Sequence, residues 1–312
     1  DDLLGVSSHE LYHTWNIKAI RPEEMYPYNY TSENYFRTGF VAEGVTTYMG
    51  DVMLYNSGVF NWDEFVKTQN QNLERHLTNY GRFNLSVADS GFDNWLDGYK
   101  LGAPNRKTSI YPDAALCMFM IDLEIIKNTN GAESLHSVMK SLYHDYALQN
   151  KGYSEDDFRN ICVALGGLKV AEIFEDHIYG TENYIPTLKT ALTTVGLALK
   201  EKNPILSAQY FGILTAKEDS KYIIKKIAPD SVADLAGIGT EDEITAIEGM
   251  AIKGKLNDVL NEAKSSLTFK IKKKFSEQEI QLTKGNYYGL LEFIEIENPT
   301  EEQQILRKVW SN

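Results

Sequence analysis

His9-Glu10-Leu11-Tyr12-His13 decides how the chain is read. At helical spacing its two imidazoles lie one turn apart on one face, where both can bind a single metal ion. Glu10 leaves the helix at a neighbouring angle, too far round to complete a tetrahedron but suited to accept a proton from a metal-bound water. A third ligand is offered by Glu43, in Phe40-Val41-Ala42-Glu43-Gly44-Val45-Thr46-Thr47-Tyr48-Met49-Gly50-Asp51. That segment reads as an amphipathic helix whose apolar residues leave a lone carboxylate poorly placed unless it is paired, and a metal would pair it. Two histidines, one glutamate and a water make the open four-coordinate arrangement of catalytic rather than structural zinc, one ion per chain. Asp51, two turns beyond Glu43 on the same face, reads first as an ordinary solvated carboxylate and second as a group that could orient a ligand imidazole.

Around this motif the sequence to about Leu199 reads as helical. Asn61–Tyr80, Ser109–Asn128 and Ala132–Gln149 carry apolar residues at three- and four-residue spacing. Asn61 and Ser154 stand where N-caps belong, each followed by acidic residues that favour the positive end of a helix. The stretch between Tyr80 and Thr108 is rich in Gly, Asn, Asp and aromatics and has turn chemistry without a clear period. After Pro204 the character changes to short apolar runs between Gly and Asp turns: Tyr210–Leu214, Tyr222–Ile227, Glu243–Ile247 and Leu267–Ile271. Ser231–Leu235 and Lys255–Lys264 are the helix-like pieces there, and Thr300–Trp310 reads as a closing helix. The expected organisation is α+β and multidomain: a mainly helical part at 1–200, a small mixed-β domain at 205–290 and a helical tail at 291–312.

Composition removes other classes. The formal charge of −13 is spread along the length and leaves no basic patch for a phosphate backbone, which argues against nucleic acid as a partner. Lys270–Lys274 is the one local basic run, and it reads as a solvated strand edge that discourages aggregation. No stretch approaches the roughly 18 apolar residues of a membrane-spanning helix. Cys117 and Cys162 lie in apolar helix-like segments without metal spacing and read as buried thiols. His76, His136, His144 and His177 stand singly and read as surface or capping residues. No serine stands in a Gly-x-Ser-x-Gly elbow, and no Gly-rich loop follows a strand to hold a nucleotide.

His9-Glu10-Leu11-Tyr12-His13-Thr14-Trp15-Asn16-Ile17-Lys18-Ala19-Ile20-Arg21-Pro22 resembles the signature of the glycyl aminopeptidase family of gluzincin metallopeptidases. Ala42-Glu43-Gly44 resembles that family's third-ligand helix, Gly91–Tyr99 its Phe-Asp-x-Trp segment, and Ser109-Ile110-Tyr111 its Ser-Tyr-Tyr motif. The resemblance implies a thermolysin-like zinc peptidase acting on peptides or proteins with amino-terminal Gly or Ala. It assigns His9, His13 and Glu43 to the metal, Glu10 to general-base catalysis and Tyr111 to the oxyanion. Two departures stand out. Tyr111 is followed by Pro112-Asp113-Ala114 where the related pattern has x-Lys-Gly. Only eight residues precede His9, so the family's upstream β-rich region is expected to lie outside this chain, which reads as a carboxy-terminal piece of a longer enzyme; the sequence itself leaves the compartment open, and the resemblance favours an extracytoplasmic one.

Tyr210-Phe211-Gly212-Ile213, the strand Ile223–Ile227 and the run Ala228–Ile238 resemble a PDZ domain. That resemblance implies peptide-carboxylate binding at Phe211, Gly212 and Ile213, with strand pairing beside a helix at Leu256–Lys264. Packing without ligand binding is the other reading of the same module. The competing function is a PDZ-type peptide-binding or scaffold protein whose zinc site is structural or inactive.

Overall fold

The computed structural model describes residues 2–97, 102–261 and 265–311 and divides into two compact units. The first comprises the residues up to Lys200 together with those from Glu292 onward, and the second is Glu201–Leu291. No helix is long and apolar enough to cross a membrane among the described residues.

In the first unit, α1 (Asp2–Tyr12) carries the histidine motif. Phe40–Val45 does not continue as an amphipathic α-helix: it is a π-helical turn that runs into α2 (Thr46–Asn56). Next comes α3 (Trp62–Leu77), begun by a reciprocal cap in which Asn61 accepts from the Glu64 N–H and Glu64 accepts from the Asn61 N–H. The aperiodic stretch after it is not one loop. Ser86 caps α4 (Val87–Phe92), and α5 (Asn94–Asp97) follows. Tyr99, the end of the segment read as Phe-Asp-x-Trp, lies outside the described residues.

The core is built on α6 (Pro112–Asn128), whose residues are buried from Pro112 through Ile126. A helix enclosed on all sides must pair its polar groups inside the protein. Asp122 accordingly accepts from the Tyr48 hydroxyl at 2.6 Å and the Leu135 N–H at 2.6 Å. Around it stand α7 (Leu135–Asp145), α8 (Glu155–Ile173) and α9 (Tyr184–Leu192), with α8 capped by Ser154 as expected. His76 and His177 are buried, against the expectation of surface positions, while His136 and His144 are exposed. Cys117 and Cys162 are buried free thiols.

The C-terminal residues differ most from expectation. Leu291–Glu295 is a strand that pairs with β1 (Leu197–Glu201), and the helix Glu301–Trp310 packs within the first unit rather than standing apart as a tail. Trp310 stacks on Phe119 with ring centroids 5.6 Å apart and donates its indole N–H to the Tyr48 hydroxyl at 2.8 Å.

The second unit begins with α10 (Leu206–Phe211), which takes in Tyr210 and Phe211, the first two residues of a run expected to be a strand. Gly212, at φ 74°, ends that helix, and β2 (Ile213–Glu218) starts only at Ile213. There follow β3 (Lys221–Ile227), α11 (Val232–Leu235), β4 (Glu243–Ile247), β5 (Met250–Ala251), α12 (Leu256–Asn261), β6 (Ser266–Lys272) and β7 (Glu277–Thr283). The expected continuation of α12 to Lys264 lies outside the described residues. The sheet is antiparallel in the order β2-β3-β4-β6-β7, with β5 beside β4. Phe211, Ile224, Phe269 and Ile271 are fully buried in its core. β6 is an interior strand, not an edge, and its lysines face outward to carboxylates: Lys270 meets Glu277 at 2.9 Å.

Candidate metal centre

α1 and the turn that ends it, in which the His13 N–H donates to the His9 carbonyl, bring His9 and His13 together with their Nε2 atoms 3.1 Å apart. The π turn delivers Glu43, whose Oε2 lies 3.1 Å from His9 Nε2 and 3.4 Å from His13 Nε2. For zinc bonds of about 2.0–2.1 Å, a tetrahedron has ligand-to-ligand edges of roughly 3.3–3.4 Å, so this donor set fits a zinc ion in both chemistry and spacing. It is the one group of three or more His, Cys, Asp or Glu so converged among the described residues.

Close helix approach makes this possible. A Cβ at Gly50 on α2 would lie 3.2 Å from the His9 backbone nitrogen, and a Cβ at Gly44 would stand 2.4 Å from the Ala114 Cβ of α6. Side chains at these positions would push α1 and α6 away from the ligand-bearing segment.

Hydrogen bonds around the three donors hold them in place. His13 Nδ1 donates to the Asn16 carbonyl at 3.0 Å, which leaves the Nε2 lone pair to face His9 and Glu43. The fully buried Asn16 side chain then ties the turn after α1 to the π turn: the two hydrogens of its amide are shared among the Val41 carbonyl at 2.9 Å, the Ala42 carbonyl at 3.2 Å and Thr46 Oγ1 at 3.0 Å. Sequence reading gave Asn16 no role, although it lies inside the motif stretch. Ile17, the next residue, holds φ 99°, a strained value for a β-branched side chain. Its N–H donates to the Ile20 carbonyl and its carbonyl accepts from the Tyr28 hydroxyl, both at 2.9 Å.

The electrostatics follow from these contacts. Burial opposes the Glu43 charge, but hydrogen bonds from His13 and His9 and their positive charge outweigh it and hold the carboxyl at about 2. For His13, burial favours the neutral ring, yet hydrogen bonds to Glu43 and the Asn16 carbonyl raise the net value above the ordinary one. Asp51 is neither solvated nor a hydrogen-bond partner of a ligand. It is buried and accepts from Gln69 Nε2 at 3.0 Å, and burial lifts its carboxyl to about 7 against that bond and the nearby His9.

Glu10 and Tyr111 line the same cleft of about 350 Å³ as His9. Glu10 is exposed there, and the Tyr111 ring centroid lies 6.3 Å from that of His9. The departure after Tyr111 has a structural account. Pro112 occupies the first turn of α6, where its missing N–H costs nothing, and Asp113 is fully buried. One Asp113 oxygen accepts from His76 Nδ1 at 2.5 Å and the other from the Ser109 N–H at 3.1 Å, while Ser109 Oγ accepts from the Tyr111 N–H at 3.3 Å. These bonds fold the chain so that Tyr111 stands at the cleft.

In the second unit, Phe211 and Ile213 are fully buried. The Gly212 N–H is spent on the Ala208 carbonyl, and its carbonyl accepts from the Ala228 N–H at 2.8 Å. A Cβ at Gly212 would meet Ser231 Cβ at 2.4 Å.

Comparisons with known proteins bear on the first unit most. A solved structure described as an aminopeptidase N family protein from Idiomarina loihiensis aligns with a TM-score of 0.86 and 22% identity over 100% of this chain, which shows a shared fold. The chain spans 55% of that protein's length. A photosystem II D1 C-terminal processing protease aligns over 55% of this chain and 43% of its own, with 13% identity and a TM-score of 0.23, too low to carry an argument. No curated protein sequence matches. Residues 2–117, which hold His9, Glu10, His13, Glu43 and Tyr111, match the family model described as M61 glycyl aminopeptidase, the same family whose resemblance the motif residues carry.

Proposed function

We propose that this chain is the metal-binding part of a zinc-dependent aminopeptidase that releases amino-terminal Gly or Ala from peptides. The observation that carries the reading is the convergence of His9, His13 and Glu43 at 3.1–3.4 Å with Glu10 and Tyr111 on the same cleft. His9, His13 and Glu43 would hold the ion, which supplies Lewis acidity and makes water nucleophilic near neutral pH. Glu10 takes the proton of the attacking water and passes it towards the leaving amine. The Tyr111 hydroxyl donates a hydrogen bond to the oxygen on which negative charge develops. Asn16 and Thr46 keep the π turn, and with it Glu43, in register. In the second unit the reading favours strand addition along β2, which ends the sheet path, over carboxylate capture at Gly212, whose N–H is already committed.

The test uses the full-length protein and its Glu10→Gln variant, with zinc content measured beside hydrolysis of glycyl and alanyl reporter peptides. Both proteins should bind about one zinc per chain, and the variant should lose at least about a hundredfold in turnover. Normal turnover in the variant, or hydrolysis that survives removal of the metal, would overturn the assignment.

A further inference from the structure

The cleft beside His9 has two chemically different walls. α1 contributes the carboxylates of Asp2 and Glu10. Facing the same space, α3 contributes Lys67, Gln71 and Arg75, at four-residue intervals, with Thr68 and Asn72 as a second row beside them. Residues four apart on a helix share a face, so these side chains form one continuous polar stripe. Lys67, Gln71 and Arg75 are exposed, whereas Asn72 is only 6% exposed and its Nδ2 has no hydrogen-bond partner among the described residues. A chain whose net charge is −13 thus places two cations and an unused buried amide donor along one wall.

We infer that the α3 stripe is a subsite for a carboxylate on the leaving part of the peptide, downstream of the bond that is cut. The inference rests on the peptidase reading above and extends it to substrate preference. An aminopeptidase holds the substrate ammonium one residue from the reacting carbonyl. Lys67 and Arg75 repel that ammonium, while Asp2 and Glu10 attract it, so the amine end belongs toward α1 and the leaving end over α3. There the two cations supply charge-assisted contacts, and the amide groups of Gln71 and Asn72 supply donors for a carboxylate or a peptide carbonyl. A carboxylate reaches this position from either of two sources. It is the free C-terminus of a very short peptide or the side chain of Asp or Glu just after the cut.

Four substrates separate these cases with the zinc-loaded full-length protein: glycyl-alanine, glycyl-alanine amide, glycyl-glutamic acid α-amide and glycyl-lysine amide. The carboxylate-bearing substrates should be cleaved with about two- to tenfold higher kcat/KM than the alanine amide, mainly through KM. The lysine amide should be poorest. The advantage should shrink with added salt and vanish in the Lys67→Gln/Arg75→Gln variant. Preference for glycyl-alanine identifies the terminal carboxylate, and preference for the glutamic acid amide identifies the side chain. Equal kcat/KM for all four, or a preference untouched in the double variant, overturns the inference. Calorimetric titration of the Glu10→Gln protein with glycyl-alanine and its amide separates this from the peptidase reading. Tighter binding of the carboxylate, without hydrolysis by the wild type, would keep the subsite and sink the peptidase.

Discussion

Replacing Asn16 by Ala tests whether the π turn that carries Glu43 is held from the turn after α1. The substitution deletes the two amide N–H donors, which are shared among the Val41 carbonyl at 2.9 Å, the Ala42 carbonyl at 3.2 Å and Thr46 Oγ1 at 3.0 Å. The Ala42 carbonyl keeps a partner, because Thr46 Oγ1 also donates to it at 2.6 Å, whereas the Val41 carbonyl loses its side-chain donor. At a net ~0.5–1.5 kcal/mol for each of the two donors, the cost is about 1–3 kcal/mol. For a unit of this size that corresponds to a drop of about 2–12 °C in the midpoint of thermal unfolding. The Asn16 backbone carbonyl, which orients His13, survives the change, so any loss of metal affinity reports on Glu43. A shifted carboxylate should weaken zinc binding by about ten- to a hundredfold. Urea unfolding of the metal-free protein and chelator competition for zinc measure the two effects. A loss below about 0.5 kcal/mol with unchanged zinc affinity would refute the idea that Asn16 keeps the turn in register.

Gly44→Ala should destabilise by about 1–3 kcal/mol, because its Cβ would sit 2.4 Å from that of Ala114 and one helix must give way; chemical denaturation that shows a neutral change would mean α6 moves freely there. Asp122 predicts a pH dependence. Burial raises its carboxyl from 3.8 to about 6, against hydrogen bonds from the Leu135 N–H and the Tyr48 hydroxyl. The folded state therefore holds the proton more tightly than the unfolded one. Stability from this group is full below about pH 4 and lost as pH rises through 6, a total of ~3 kcal/mol. Asp122→Asn should remove that part of the slope, and parallel unfolding curves for variant and wild type between pH 4 and 7 would contradict it.

The three converging side chains were legible because each signal is local. Four-residue spacing alone puts His9 beside His13, and an apolar context makes the Glu43 carboxylate conspicuous. What surrounds them was hidden by distance along the chain. A π turn at Phe40–Val45 leaves the apolar pattern of a helix almost unchanged, so periodicity cannot separate the two. Asn16 acts on carbonyls 25 and 26 residues away, and no pattern in the residues around it records them. Trp310 reaches the Tyr48 hydroxyl across 262 residues, which is why the C-terminal helix read as a separate tail. In the second unit β7 escaped notice because Glu277, Glu279 and Gln281 give its outer face no apolar signal.

Pro112-Asp113-Ala114 shows the same limit from the opposite side. Beside the related x-Lys-Gly pattern, Pro112-Asp113-Ala114 reads as a change of local backbone and charge after Tyr111. In the folded chain the Asp113 carboxylate never meets solvent. It closes the turn through the Ser109 N–H and binds a histidine 37 residues upstream, at the end of the helix that walls the cleft. A departure in local sequence thus serves to place the tyrosine, because the group that makes sense of it, His76, arrives only with the tertiary fold.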